Sequence, residues 1–298
     1  MTNTALAWMV VSLIGLASPA LAQEMPADYA GVLKALGRTG DFKGNVLKVN
    51  VPRADVTVAI DGVMAPTPFG FGGWIAMTKG DQGMEVMMGD LVLTEREVNP
   101  VMSAVLDAGL EVTALHNHFF FETPRMYYMH VHGMGTAAQL ATRIKPALDL
   151  IGKNIGNLVM GTGVQLAGGL ATDRMAAIIG TPGEQTGPSY KITIGRPDLD
   201  VREHGARIDA RMGLNTWAAF IGSNSDALVA GDIAMTAAEV TPVLKAMRGA
   251  GLQIVAIHHH MLTAQPVYFL HYYGRGAAEK LAQGVRAALD QLATATPK

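Results

Sequence analysis

The strongest constraint on the fold of this chain is that its sequence is written twice. The segment Leu36-Gly37-Arg38-Thr39-Gly40, then Gly44, then Lys48 to Asp55 returns as Ile179-Gly180-Thr181-Pro182-Gly183, then Gly187, then Lys191 to Asp198. Gly73-Trp74-Ile75 pairs with Thr216-Trp217-Ala218, Gly89-Asp90-Leu91 with Gly231-Asp232-Ile233, and Glu97-Val98-Asn99-Pro100 with Glu239-Val240-Thr241-Pro242. Matches in register over about 120 residues are an internal duplication. The halves run 28–150 and 171–296, and the Gly-rich, apolar stretch 151–170 reads as a connecting segment. Whatever the first half folds into, the second folds into as well.

Each half carries the same run of element signals. A leading helix (Tyr29–Leu36; Asp173–Ile179) precedes strands such as Val46–Val51 and Val56–Ile60, one around Trp74 and one ending at Leu93. Thr94-x-x-Glu97 and Thr236-x-x-Glu239 fit capping boxes for a following helix, although Pro100 and Pro242 could equally stand at N1 behind Asn99 and Thr241. Strands Glu111–Phe119 and Arg125–His132, matched by Gln253–Met261 and Val267–Tyr273, lead to a closing helix, Thr136 to about Leu150 and Ala277 to about Leu292. The expected class is α+β: two similar units, each a mostly antiparallel sheet with helices packed on one face. With 298 residues, 49% of them hydrophobic, the chain can bury a sizeable core.

Nearly all the imidazole lies in two copies of one pattern. His116, His118, His130 and His132 fall within seventeen residues, and His258, His260 and His271 repeat three of these positions, with Tyr273 replacing His132. Alternate residues of a strand share a face, so pairing of the two strands brings opposite rings to within ~5 Å. Neutral imidazole is the commonest metal ligand, and three rings leave a coordination position open, the catalytic style of site. The expected ligand set is therefore His116, His118, His130, His132, His258, His260 and His271, with zinc or copper as the metal. Glu122, spaced H-x-H-x3-E, is the candidate general base. Asn117, Arg125, Tyr127, His259 and Tyr273 are candidate ligand-binding residues. The competing expectation is a metal-free module whose histidine- and aromatic-lined clefts hold a small molecule, glycan or peptide of the cell envelope. Whether the two clusters form one site or two stays open, as do the reaction, the substrate and the oligomeric state.

Composition narrows the partners. Twenty-three basic residues against 25 acidic ones leave no basic stripe, so nucleic-acid binding has no source of phosphate neutralisation. There is no cysteine, which excludes disulfides, zinc thiolates and a Cys nucleophile. Eighteen methionines, several near the first cluster, suit copper, although core filling is their usual role. Leu6 to Leu16 followed by Ala20-Leu21-Ala22 reads as a signal peptide over residues 1–22, without the usual positive n-region. An exported protein, periplasmic or secreted, with no membrane span after cleavage is expected.

Several partial motifs carry little. His116-Asn117-His118 is not the HNH nuclease signature, and H-x-H-x3-E lacks the second cupin motif. The string from Gly89-Asp90 through Glu97-Val98-Asn99-Pro100, His116-Asn117-His118-Phe119-Phe120 and Pro124-Arg125 to Met129-His130, with its second copy ending in His258-His259-His260 and His271, resembles the LppY/LpqO-type family. These are exported bacterial proteins whose domain has no established activity. The resemblance spans nearly the whole chain after residue 22 and implies a two-repeat exported protein, with His116, Asn117, His118, Pro124, Arg125 and His130 at motif positions. The chain departs from the family in lacking a lipoprotein Cys, in having His259 where Asn is usual, and in Gln265-Pro266-Val267 where Glu-x-Pro-Arg is common. The resemblance supplies no reaction, and the chemistry rests on the histidines.

Overall fold

The structure, a computed structural model, describes residues 23–293 apart from 154, 167 and 263–265. The expected signal peptide lies outside the described residues, as do Ala264 and Gln265. Each half builds a six-stranded antiparallel sheet of the same topology. In spatial order the first sheet runs Gly40–Lys43, Val46–Pro52, Gly72–Lys79, Glu85–Thr94, Met126–Gly135 and Glu111–His116. Its counterpart runs Glu184–Thr186, Ser189–Gly195, Asn215–Gly222, Ala227–Met235, Tyr268–Gly276 and Gln253–His258.

Three helices cover one face of each sheet, as expected: Ala27–Leu36, Glu95–Asp107 and Ala137–Leu150 in the first half, Thr172–Ile179, Ala237–Gly249 and Ala278–Leu289 in the second. Strand alternation sends Val49, Ile75, Met87, Leu91, Met129 and Val131 to the helices, where they join Val101, Leu140 and Ile144 in one core. The second half repeats this with Ile192, Phe220, Val229, Ile233, Leu270 and Tyr272. Of the two possible starts for the middle helices, the capping boxes win: Thr94 with Glu97 and Thr236 with Glu239 are both closed, and Pro100 and Pro242 sit inside their helices.

The other face of each sheet is not left to water. Side chains alternate with the helix-facing set and pack against the opposite half, so the sheets lie face to face between two helical layers. That is why Ala227–Met235 is buried along its entire length, as a strand covered on both faces must be. Two interlocked cores fill this inner layer. Val58, Ile60, Phe69 and Phe71, on the excursion between the second and third strands of the first sheet, pack with Ala219, Ile221 and Tyr273 of the second half. Reciprocally, Leu199, Val201, Ile208 and Met212 pack with Ala76, Val86 and Met88 of the first half.

The connecting segment lies against the first excursion, a hairpin of Val58–Ile60 and Val63–Ala65. Val164 exchanges backbone hydrogen bonds with Met64 and Gly62 at 2.9 Å each. A Cβ on Gly161 would stand 2.2 Å from the Ala59 nitrogen, which explains the need for glycine in this stretch.

Candidate metal centre

Between the two interlocked cores the histidines converge, and a local irregularity aims them. On Glu111–His116, Val112 packs with the helices whereas His116 faces the other sheet, although residues four apart on a regular strand share a face. A bulge between Val112 and Ala114 breaks the alternation. The second half has the same irregularity between Ile254 and Ala256, which sets Ile254 against its helices and His258 toward the centre.

Both edge strands end sooner than expected, at His116 and His258. His118 and His260 project from the loops that follow and reach across to the opposite half. The His118 ring stacks on Tyr128 with centroids 3.2 Å apart and lies 3.7 Å from His271. Its counterpart His260 stacks on Phe269 at 3.5 Å and lies 4.1 Å from His130. His116 and His258 meet at 3.8 Å. The two clusters of the sequence are thus one cluster in space.

Backbone carbonyls fix several tautomers. Nδ1 of His260 is 3.1 Å from the Gly213 oxygen and Nδ1 of His271 is 3.2 Å from that of Gly231. A carbonyl only accepts, so Nδ1 carries the proton and Nε2 keeps its lone pair. His130 bonds the Gly89 backbone in the equivalent way, and its Nε2 lies 2.9 Å from Nε2 of His116. Both ring nitrogens of His118 and His258, and Nε2 of His260 and His271, are buried without a hydrogen-bond partner. Burial, then the neighbouring rings, holds His116, His118, His130 and His258 below the ordinary imidazole range; burial does the same to His271 despite Asp232. The shifts of all five rings favour the neutral form.

Three groups of ligand atoms gather with all members within 4.8 Å of one another: His116, His118 and His271; Asp232, His258 and His260; and His116, His130 and His258. The first two share no residue, and each includes one histidine, His118 or His258, whose two ring nitrogens are both without a hydrogen-bond partner. Imidazoles at this spacing could hold a transition-metal ion, and the carbonyl-bound Nδ1 atoms of His260 and His271 resemble the outer partners that orient metal-binding rings. Asp232 Oδ2 stands 3.3 Å from His260 Nε2 and 4.0 Å from His271 Nε2. Burial raises the Asp232 carboxyl, but His271 and His260 outweigh it and the net shift is downward. Its counterpart Asp90 is raised to about 7, chiefly by burial, with Asp232 adding to the effect.

The remaining expected site residues are placed elsewhere. His132 is drawn away from the ring cluster: Nδ1 is 3.2 Å from Glu111 and Nε2 3.0 Å from Glu203, a residue of the second half. Burial lowers its pKa, Glu203 and Glu111 raise it, and the net shift is upward. Glu122 is set on a short strand beside the first hairpin, where it accepts the Met126 N–H at 3.0 Å. Burial pushes its carboxyl up to about 8, and no ring nitrogen is among its partners. Asn117 donates to the Met126 carbonyl at 2.7 Å. Arg125 is exposed, Tyr127 packs on the helix side, and His259 turns to the Val267 carbonyl and the Tyr268 ring. Tyr273 is buried in an inter-half core, edge-on to Phe119. The methionines fill cores: Met87 and Met129 on the helix side, Met88 and Met126 between the halves.

Beside the rings lies a cavity of about 560 Å³ lined in symmetric pairs by Lys48 and Lys191, Trp74 and Trp217, and Asp90 and Asp232. None of these six was singled out from the sequence for the site. Their signal was present: a charged or indole side chain inside an apolar strand, repeated at the same place in both halves.

A family profile described as a domain of unknown function, DUF1259, matches residues 30–150 and again 173–291. The chain belongs to the DUF1259 family. Its two repeats coincide with the two sheets, and each supplies half of the ring cluster. No curated protein matches the chain by sequence. Among solved structures, PduB, a trimeric bacterial microcompartment shell protein, is similar at 12% identity over 83% of this chain and 88% of that one, with a TM-score of 0.19. EtuB from Clostridium kluyveri is similar at 9% identity over 88% and 97%, with a TM-score of 0.21. Likeness at this level carries no conclusion for a DUF1259 chain.

Proposed function

We propose that this protein is a metal-binding protein whose single centre is shared by both repeats, with zinc or copper(II) as its ion. The observation that carries the reading is the set of buried ring nitrogens without a hydrogen-bond partner on His118, His258, His260 and His271. Leaving a buried polar group unsatisfied costs about 1–3 kcal/mol, and coordination removes that cost. Two disjoint ligand groups, one all-imidazole and one including Asp232, support a capacity of two ions. Absence of thiolate, and thioethers that lie in the cores, favour a borderline ion over copper(I). The open coordination positions suit either carriage of the ion or its use on a bound substrate. We further propose export to the periplasm or beyond, supported by the signal-like residues 1–22, and an LppY/LpqO-type placing within the family, supported by the motif string.

Elemental analysis of the untagged mature protein beside His116→Ala/His118→Ala tests the metal reading. The expected result is one or two equivalents of a transition metal in the wild type and a large loss in the double variant. A wild type that takes up neither zinc nor copper on incubation overturns it and favours the metal-free binding module, for which the cavity with Lys48 and Lys191 is the supporting observation.

A further inference from the structure

Lys48 and Lys191 occupy equivalent places on the two sheets and line one cavity. Each ammonium sits over an indole, Lys48 at 4.2 Å from the centroid of Trp74 and Lys191 at 4.4 Å from that of Trp217. The cation–π contact holds each extended stem against a ring face and so fixes where its charge stands. Both side chains are half-buried, whereas His118, His260 and His271 on the same cavity are buried, so the lysines lie on the solvent side of the rings. Among the described residues neither ammonium has a carboxylate within ion-pair distance. Burial lowers Lys48 to about 8, and Lys191 and Arg211 lower it further against the pull of Asp90 and Asp41. Asp90 and Asp232 line the same cavity and draw on the lysines, but Asp232 is turned to the rings of His260 and His271 and neither carboxylate reaches an ammonium, so an anion entering the cavity meets two cations without a direct partner.

We propose that this cavity binds a small organic dianion, its acidic groups held by Lys48 and Lys191 and its other end directed to the histidine centre. A monoanion pairs directly with one ammonium and leaves the other without a contact; a neutral or cationic molecule pairs with neither. The approximate twofold symmetry of the lining suits a ligand with an acidic group at each of two positions. The volume falls within the range of small-molecule sites and is far below what a polymer surface needs. The inference rests on the proposed metal centre only for the ligand's inner end.

Isothermal titration of the full mature chain, zinc-loaded and metal-free, with succinate, inorganic phosphate and acetate tests it. The expected result is binding of a dianion about tenfold or more tighter than acetate, with Lys48→Met/Lys191→Met losing about tenfold or more and Lys48→Arg/Lys191→Arg retaining most of the affinity. Preference between succinate and phosphate separates a carboxylate ligand from a phosphorylated one. An unchanged metal content and melting temperature in the Met variant show that it folds. Equal binding of the dianions by wild type and the Met variant overturns the proposal, as does failure of both dianions to outbind acetate. Lysine-dependent binding by protein that takes up no metal leaves this inference standing while the metal reading falls; metal uptake without it does the reverse.

Discussion

At His118 and His258 the fold keeps an imidazole buried with both nitrogens unpaired, although an apolar side chain would fill the space at less cost. In the proposed metal centre such rings are kept for what they bind, and function opposes stability there. His118→Leu should therefore leave the metal-free protein as stable as the wild type or more so, while abolishing the thermal stabilisation that added zinc gives. A loss of about 2 kcal/mol in the metal-free state, within the range for core truncations, would mark the ring as structural instead. His132 belongs to a different category, since its ring bridges Glu111 and Glu203 from the two halves. His132→Phe should weaken the fold by about 1 kcal/mol and keep full metal content, as elemental analysis would show. Glu122 has its carboxyl raised to about 8 by burial, above its value in the unfolded chain. The folded state therefore holds the proton more tightly, and stability falls as pH rises from about 4.5 toward 8. In Glu122→Gln that part of the slope should vanish in urea unfolding across this range. Sequence spacing made His132 look equivalent to His130; what captures it is its cross-strand neighbour Glu111 together with Glu203 of the other half.

Among the elements, the capping boxes are one of the two helix starts that local sequence offered, and the structure closes them. Thr94 and Glu97 close the helix start, and Glu97 then accepts from the buried Arg53 at 2.7 Å and from the Gly152 N–H at 2.6 Å. The second half builds the same tie from Arg196, Glu239 and the Ala293 N–H. Removing one partner of such a pair strands a buried charge, so Arg53→Met should cost about 3–5 kcal/mol in chemical unfolding. Adding Glu97→Gln to it should recover part of that loss. The edge strands are the opposite case. Strict alternation would put Val112 and His116 on one face, and only the bulge, matched at Ile254 and Ala256, separates them. A single inserted residue in a ladder leaves no local composition signal, because it is fixed by what both faces must pack against. The early ends of these strands, which free His118 and His260 to cross over, were hidden for the same reason.

For the whole molecule the duplication reads as two units, yet they do not behave as two domains. Each excursion is buried in the opposite half, and side chains such as Phe69, Phe71 and Phe269 contribute about 1.5–3 kcal/mol each only when both halves are present. Cutting the connecting segment and producing each half alone should give no monomer that holds a full equivalent of metal, whereas mixing the halves should restore it. A lone half binding as the intact chain does, by elemental analysis after gel filtration, would return the ligands to one repeat. The sequence by itself determined the duplication, from its repeated text, and the order of elements and the two histidine sets, which depend on neighbours a few residues apart. Only the tertiary structure decided that the two sets are one cluster of rings, that His132 is held apart from it, and that Asp90, Asp232, Lys48 and Lys191 line the cavity beside it. The ring partnerships join residues about 140 apart and His132 meets Glu203 about 70 residues on, and they arise because each sheet must bury its second apolar face against the other.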